Sequence, residues 1–276
     1  MRIVRIGSET GPTMARLEAD GQVRPFDIAE STALIRVALD RGGVEHLPVG
    51  GATADGQRLA PVSDPQKIVA IGLNYHDHAT EASLPIPDDP LVFAKFPSSI
   101  IGPGAPIRWS RSLTTGVDYE AELAVVIGRR ARDVPVGSAL DHVFGYTCLN
   151  DVSARDLQFS DKQWVRGKSL DTFCPIGPVL VTADEVPDPQ DLSIRCCIGS
   201  EVLQEASTAD MIFGVAVLIS RLSRWFSLEP GDVIATGTPP GVGWFRTPRR
   251  VLEAGDEVTV EIGRIGALTN PVVVDD

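Results

Sequence analysis

From Lys67 onward, apolar runs are short and stop at Gly or Pro: IVAIGL, LVFAKF, AELAVVIG, GYTCLN, GPVLVT, SIRCCIG, DVIATG and EVTVEIG. Runs of this length between turn residues read as strands. Helical character is confined to 74–83, 137–142, 152–159 and 207–227. Many strands with few helices predict a β-rich α+β fold, not an alternating βαβ sheet. No G-x-G-x-x-G opens a helix after a strand and no P-loop occurs, so a nucleotide site is not indicated.

Residues 1–64 read as a small separate unit. MRIVRIG and MARLEADGQVRPF suggest two short strands, the second turning at Asp20-Gly21, and a helix is expected near 31–41. PVGGATADGQRLAPVSDPQ, at 48–66, has the composition of a connector. The remaining residues, 65–276, form the main domain.

DYEAELAVVIG, residues 118–128, alternates in an unusual way. In a strand, side chains two apart share a face. Val117, Tyr119, Ala121, Leu123, Val125 and Ile127 make one face, apolar throughout. Asp118, Glu120, Glu122, Ala124 and Val126 make the other, which begins with acids and ends apolar. Two ionised carboxylates about 6 Å apart repel by roughly 3 kcal/mol at an effective dielectric near 20. A face entering the core raises that cost unless a cation or a proton intervenes. A divalent cation answers this most simply. The alternative is a strand end where the acids splay into water or pair with Arg129, Arg130 and Arg132.

Other stretches carry chemistry only weakly when taken singly. In CLNDVSARDLQ, Ser153 or Asp151 is a candidate cap for a short helix, and Asp151 is otherwise a third oxygen donor beside the glutamates. Arg155 and Gln158 follow at i and i+3, on one helix face, where an Arg suits a substrate carboxylate as well as plain solvent. In GLNYHDHATEAS, Asn74 is a candidate cap. His78 and Glu81 are also i and i+3, an arrangement that suits a carboxylate-oriented base or simply an exposed helix. Lys168, after a Gly in QWVRGKSLDTFCPIGP, could neutralise an enolate or bind a carboxylate. ATGTPPGVG, at 235–243, is a tight loop that could present Thr238 and backbone N–H groups to an anion.

The formal net charge of -12, with no basic stripe, points away from nucleic acid and from anionic membrane surfaces. The longest apolar run, MIFGVAVLI, has nine residues and is too short to span a bilayer. No signal peptide is visible, and the four cysteines form no C-x-x-C pair or disulfide framework. The expected location is the cytoplasm.

Taken together and in order, IVAIGLNYHDHATE, FAKFPSSIIGPG, DYEAELAVVIG, NDVSARDLQ, RGKSLDTFCPIGP and LEPGDVIATGTPPGVG resemble the fumarylacetoacetate hydrolase family over about residues 66–272. The resemblance implies a mixed β-roll catalytic domain over 65–276 behind a small N-terminal α/β domain, in a homodimer. It assigns metal ligation to Glu120, Glu122 and Asp151, catalysis to His78, Glu81 and Lys168, and substrate contact to Arg155, Gln158 and Thr238. The eponymous enzyme has a further Asp ligand before the His. This chain reads IVAIGL there, so it resembles the three-carboxylate members, with water or substrate filling the other coordination positions. Three hard oxygen ligands favour Mg²⁺ or Mn²⁺ over Zn²⁺.

The activity the resemblance implies is hydrolysis of a C–C bond in a small-molecule 2-oxo acid, of the acylpyruvate, fumarylpyruvate or dioxo sugar acid type. His78, oriented by Glu81, would activate water, and a metal-held enolate near Lys168 would leave. Decarboxylation of an oxaloacetate-like acid, or isomerisation of a 2-hydroxyhepta-2,4-diene-1,7-dioate-like diacid, would use the same enolate. A non-catalytic divalent-metal module explains the three acids but gives no role to His78, Glu81 or Lys168.

Overall fold

A computed structural model describes residues 1–8, 11–51 and 56–276. One large mixed sheet runs through the strands Val23–Pro25, Thr13–Leu17, Arg2–Gly7, Cys174–Thr182, Val143–Asn150, Ala121–Ile127, Val233–Ala235, Ile68–Gly72 and Leu91–Lys95, in that spatial order. A second sheet orders Glu201–Ser207, Ser193–Ile198, Glu257–Ile262, Gly266–Asp275 and Ile107–Ser110. Most pairings are antiparallel. Val233–Ala235 beside Ile68–Gly72 and Gly266–Asp275 beside Ile107–Ser110 are parallel. The β-rich α+β expectation holds.

The leading unit expected over 1–64 shares this large sheet with the rest of the chain, because Arg2 and Ile3 pair with Val181 and Leu180. The connector stretch 48–66 lies partly outside the described residues. Its described part includes the strand Gln57–Leu59, which pairs with Arg2–Gly7. Helix α1, Ser31–Asp40, packs Leu34, Ile35 and Ala38 on one side of the sheet, in the same core as Ala124 and Val126. On the other side, Val117, Tyr119, Ala121, Leu123, Val125 and Ile127 join a core with the second sheet. The central strand is therefore buried on both faces. Its second face turns apolar after Glu122 because it meets α1's core there.

Several helical expectations shorten. Residues 136–142 form a 3-10 turn, not an α-helix. The stretch 207–227 divides. A capping box of Ser207 and Asp210 closes a 3-10 turn at Thr208–Asp210, and helix α5 runs only Val215–Trp225, after Gly214. The helix expected over 152–159 begins at Arg155, because Ser153–Ala154 first pairs with Val117–Asp118.

Candidate active site

Two neighbouring strands build the acidic centre. Ala121 pairs with Asn150, so Glu120 and Asp151 emerge side by side from the ends of a ladder. The Asp151 N–H donates to the Glu120 carbonyl (2.9 Å), and the Glu120 N–H donates to Asn150 Oδ1 (3.0 Å). Glu122 lies one strand repeat further in. One ligand atom from each of Glu120, Glu122 and Asp151 comes within 4.8 Å of the other two. The three residues are 5 %, 1 % and 0 % exposed. The alternative of acids splayed into water does not hold. Arg130 pairs instead with Glu229 (2.9 Å), and Arg132 donates to the Ser223 and Arg224 carbonyls.

Buried cations surround two of the three acids. Lys168, at the end of the short helix α4 (Val165–Lys168), donates from Nζ to Glu120 Oε2 (2.6 Å) and Asp151 Oδ2 (2.7 Å). Lys95 Nζ lies 2.6 Å from Asp151 Oδ1. Arg155, which opens helix α3 (Arg155–Ser160), places Nη2 2.6 Å from Glu120 Oε1. Burial pushes the Glu120 carboxyl up, but Lys168 and then Arg155 overcome it and hold it near 2. Burial likewise disfavours the Lys168 ammonium, yet Asp151 and Glu120 hold it above the ordinary lysine value.

Glu122 differs. Its hydrogen-bond partner among the described residues is the backbone N–H of Gly237, which donates to Oε2 at 2.9 Å. Burial, then Asp151, then Glu120 push its carboxyl well above the ordinary value. Gly237 sits at φ +96°, and a Cβ there would come 2.7 Å from Asn74 Cβ, so a residue without a side chain brings this N–H to Glu122. A third acid, held only by an amide beside two ion-paired acids, fits a divalent cation. All the donors are hard carboxylate oxygens, which such a cation prefers.

His78 lies on helix α2, His76–Glu81. It shares with Glu120, Glu122, Arg155, Gln158, Lys168 and Thr238 the lining of a cavity of about 60 Å³. His78 Nδ1 is 2.9 Å from Glu81 Oε2, and the other Glu81 oxygen accepts from the Gly241 N–H (2.9 Å). A carboxylate on Nδ1 favours the tautomer whose Nε2 carries a lone pair. Thr238 Oγ1 accepts from Gln204 Nε2 (2.8 Å), which leaves its own proton to donate. Arg155 Nη1 donates to Gln158 Oε1 (3.0 Å). Of the nine residues singled out in sequence, seven line the cavity. Asp151 joins them through the triad and Glu81 through His78.

The family model described as fumarylacetoacetate (FAA) hydrolase C-terminal matches residues 67–273. The chain belongs to the fumarylacetoacetate hydrolase family. A relative in Xenopus laevis named oxaloacetate tautomerase fahd2, mitochondrial, is 50 % identical over 217 residues, covering 78 % of this chain and 68 % of its own. Oxaloacetate tautomerase YisK of Bacillus subtilis (strain 168) is 46 % identical over 216 residues, covering 77 % and 72 %. The crystal structure of 5-carboxymethyl-2-hydroxymuconate delta-isomerase from Mycobacterium smegmatis superposes with a TM-score of 0.83 at 39 % identity, covering 100 % of both chains. The family's enzymes thus include tautomerase and isomerase relatives of this chain.

Within the family frame, four supporting residues escape a reading of the sequence. Asp118, the first acid of the strand, is not part of the triad. It accepts from Arg155 Nε (2.9 Å) and from the backbone N–H of Gly243 (2.8 Å) and Trp244 (3.0 Å). Its place at the head of the acid face is the signal that marks it. Lys95 stands in FAKF like any strand lysine, and nothing local marks it as buried. Gln204 positions Thr238 from the other sheet. Asn74, a candidate cap, does not cap α2. Its Nδ2 donates to the Phe213 and Thr236 carbonyls, and its Oδ1 accepts from the Phe213 N–H. Ser153 does not cap α3 either, since its hydroxyl donates to the Asp151 carbonyl. No described helix is long and apolar enough to cross a membrane.

Proposed function

We propose that this protein is a Mg²⁺- or Mn²⁺-dependent enzyme that moves a proton between carbon and oxygen of a short 2-oxo diacid of the oxaloacetate type, interconverting keto and enol forms. The observation that carries the reading is the shared cavity. A carboxylate-oriented histidine with one ring nitrogen available faces a buried oxygen triad suited to a hard divalent cation. The relatives named oxaloacetate tautomerase support the substrate class.

Glu120, Glu122 and Asp151 would hold the cation, which when bound would supply Lewis-acid stabilisation of a developing enolate. The chain's own residues do the rest. Arg155, held by Asp118 and Gln158, and the Thr238 hydroxyl orient a carboxylate. His78 Nε2 takes a proton from the carbon beside the 2-oxo group, while Glu81 stabilises the resulting imidazolium. The proton returns to oxygen to give the enol, and the reverse path gives the ketone. Lys168 keeps Glu120 ionised and aligns it with Asp151.

Hydrolysis of an acylpyruvate is the second reading. It is favoured by the same His78–Glu81 pair, which could activate water instead. The deciding experiment follows enol absorbance of oxaloacetate, pyruvate release from an acylpyruvate, and CO₂ loss, each with Mg²⁺ and with Mn²⁺. Metal-dependent enol decay that outruns the other two supports the proposal. Faster acylpyruvate cleavage overturns it in favour of the hydrolase.

A cation that binds only the folded triad stabilises the fold by mass action. At about 100 times its dissociation constant the gain is about 2.7 kcal/mol, or roughly 5–10 °C for a chain of this size. EDTA is expected to remove that gain and excess Mn²⁺ to restore it in melting curves. Identical curves under both conditions would exclude a cation at this site.

A further inference from the structure

Helix α4 does two things. At its end stands Lys168, on the triad. One turn earlier stands Trp164, whose carbonyl accepts from the Lys168 N–H (3.1 Å). The Trp164 ring lines the cavity and meets Phe93 edge-on, with centroids 5.3 Å apart. Phe93 in turn lies under the Lys168 ammonium, 5.1 Å from ring centre to Nζ. The indole reaches this position because residue 72 is glycine. A Cβ on Gly72 would come 2.7 Å from Trp164 Cζ3 and 3.1 Å from Cη2, and Gly72 also lines the cavity. Two aromatic rings therefore form one wall of the cavity that Glu120, Glu122 and Lys168 also line.

We propose that Trp164, seated against Gly72 and braced by Phe93, is the specificity-determining residue that limits the acid to a short chain. It leaves room for the four-carbon 2-oxo diacid and excludes acids with a bulky or aromatic group beyond the 2-oxo head. This rests on the 2-oxo acid reading above. Neither ring offers a charge to a second carboxylate, so the wall selects by size. Excluding one or two methylenes from an apolar pocket is worth about 10–200-fold in kcat/KM.

The test pairs opposite changes. Trp164→Ala removes the wall, whereas Gly72→Ala adds a methyl group to the same lining, against the indole. With Mn²⁺-loaded enzyme, keto–enol conversion of oxaloacetate and of phenylpyruvate is followed by enol absorbance. The ratio of phenylpyruvate to oxaloacetate kcat/KM is expected to rise at least tenfold in Trp164→Ala. It should fall in Gly72→Ala, which should also raise KM for oxaloacetate. Trp164→Phe should lie between wild type and Trp164→Ala, and it keeps the test open if the alanine variant does not fold. Stabilisation by Mn²⁺ alone should match wild type, which separates a wall from a prop for Lys168. A ratio unchanged in folded variants, or a lost Mn²⁺ response, overturns the proposal. Melting shifts with pyruvate, oxaloacetate and phenylpyruvate read binding without turnover. If wild type does not convert oxaloacetate, the functional reading fails, and the size order of these shifts still decides the role of Trp164. If no 2-oxo acid shifts the wild-type curve, both fail.

Discussion

His78→Ala is expected to slow keto–enol conversion of oxaloacetate by about 10²–10⁴-fold, the range for one positioned acid–base group. His78 is the histidine in the cavity wall, and it is held there at both ends of its partner. Glu81 bonds Nδ1 with one oxygen and takes the Gly241 N–H with the other. The imidazole is thereby tied to the loop that also meets Asp118 through Gly243 and Trp244. Removing it leaves Glu120, Glu122 and Asp151 intact, so Mn²⁺ binding should persist. Decarboxylation of oxaloacetate forms its enolate by losing CO₂ and requires no base. Any such activity should therefore fall much less. The cleanest readout is exchange of the carbon-3 protons of oxaloacetate into D₂O, followed by NMR. Wild type should catalyse it and His78→Ala should not. Glu81→Gln, which keeps a hydrogen-bonding group but loses the charge, should fall between them. Exchange at the wild-type rate in His78→Ala would remove His78 from the mechanism.

Parts of this site are legible in the sequence because they are local. The alternation from Val117 to Ile127 holds across two strands, Val117–Asp118 and Ala121–Ile127, that the sequence reads as one, and the acids on a face that ends in Ala124 and Val126 announce burial. His78 with Glu81, and Arg155 with Gln158, are i,i+3 pairs, and both pairs meet as spaced. Long-range pairing leaves no such local mark. Lys95 becomes a partner of Asp151 only because Leu91–Lys95 ends the large sheet beside α4. Gln204 reaches Thr238 from a different sheet. Polar residues at chain turns read as caps because capping is their commonest local use. Asn74 and Ser153 instead satisfy carbonyls and N–H groups that the junction of strands leaves buried, a demand set by tertiary structure. The helix expected at 137–142 is of the wrong type, and the one at 207–227 is too long, for a related reason. Apolar spacing alone does not show where Pro135, or the capping box at Ser207, tightens a turn.

Glu122→Gln should change stability in opposite directions with and without cation. Among the described residues, Glu122 is the triad member with no lysine or arginine paired to its carboxylate, and burial, Asp151 and Glu120 raise it well above its ordinary value of 4.5. A raised carboxyl binds its proton more tightly folded than unfolded. Its contribution is thus complete below about pH 4.5 and is lost as pH rises toward the folded value. In EDTA, wild type should lose stability over that window, and Glu122→Gln, which cannot ionise, should not. The glutamine keeps an oxygen for the Gly237 N–H, so the variant should melt at or above wild type near pH 7, with the advantage vanishing toward pH 4. With Mn²⁺ the order reverses. Losing even an outer partner of a metal ligand typically costs 10–100-fold in affinity, and a direct ligand should cost at least as much. At a concentration of 100 times the wild-type dissociation constant, cation stabilisation should fall from about 2.7 to about 0.4–1.4 kcal/mol. Activity at limiting Mn²⁺ should fall with it. The measurement is a set of melting curves from pH 4 to 8 in EDTA and in Mn²⁺, for both proteins. A variant less stable than wild type in EDTA at pH 7 would mean that Glu122 is not a frustrated charge. A variant with the full Mn²⁺ response would mean that Glu122 does not hold the cation.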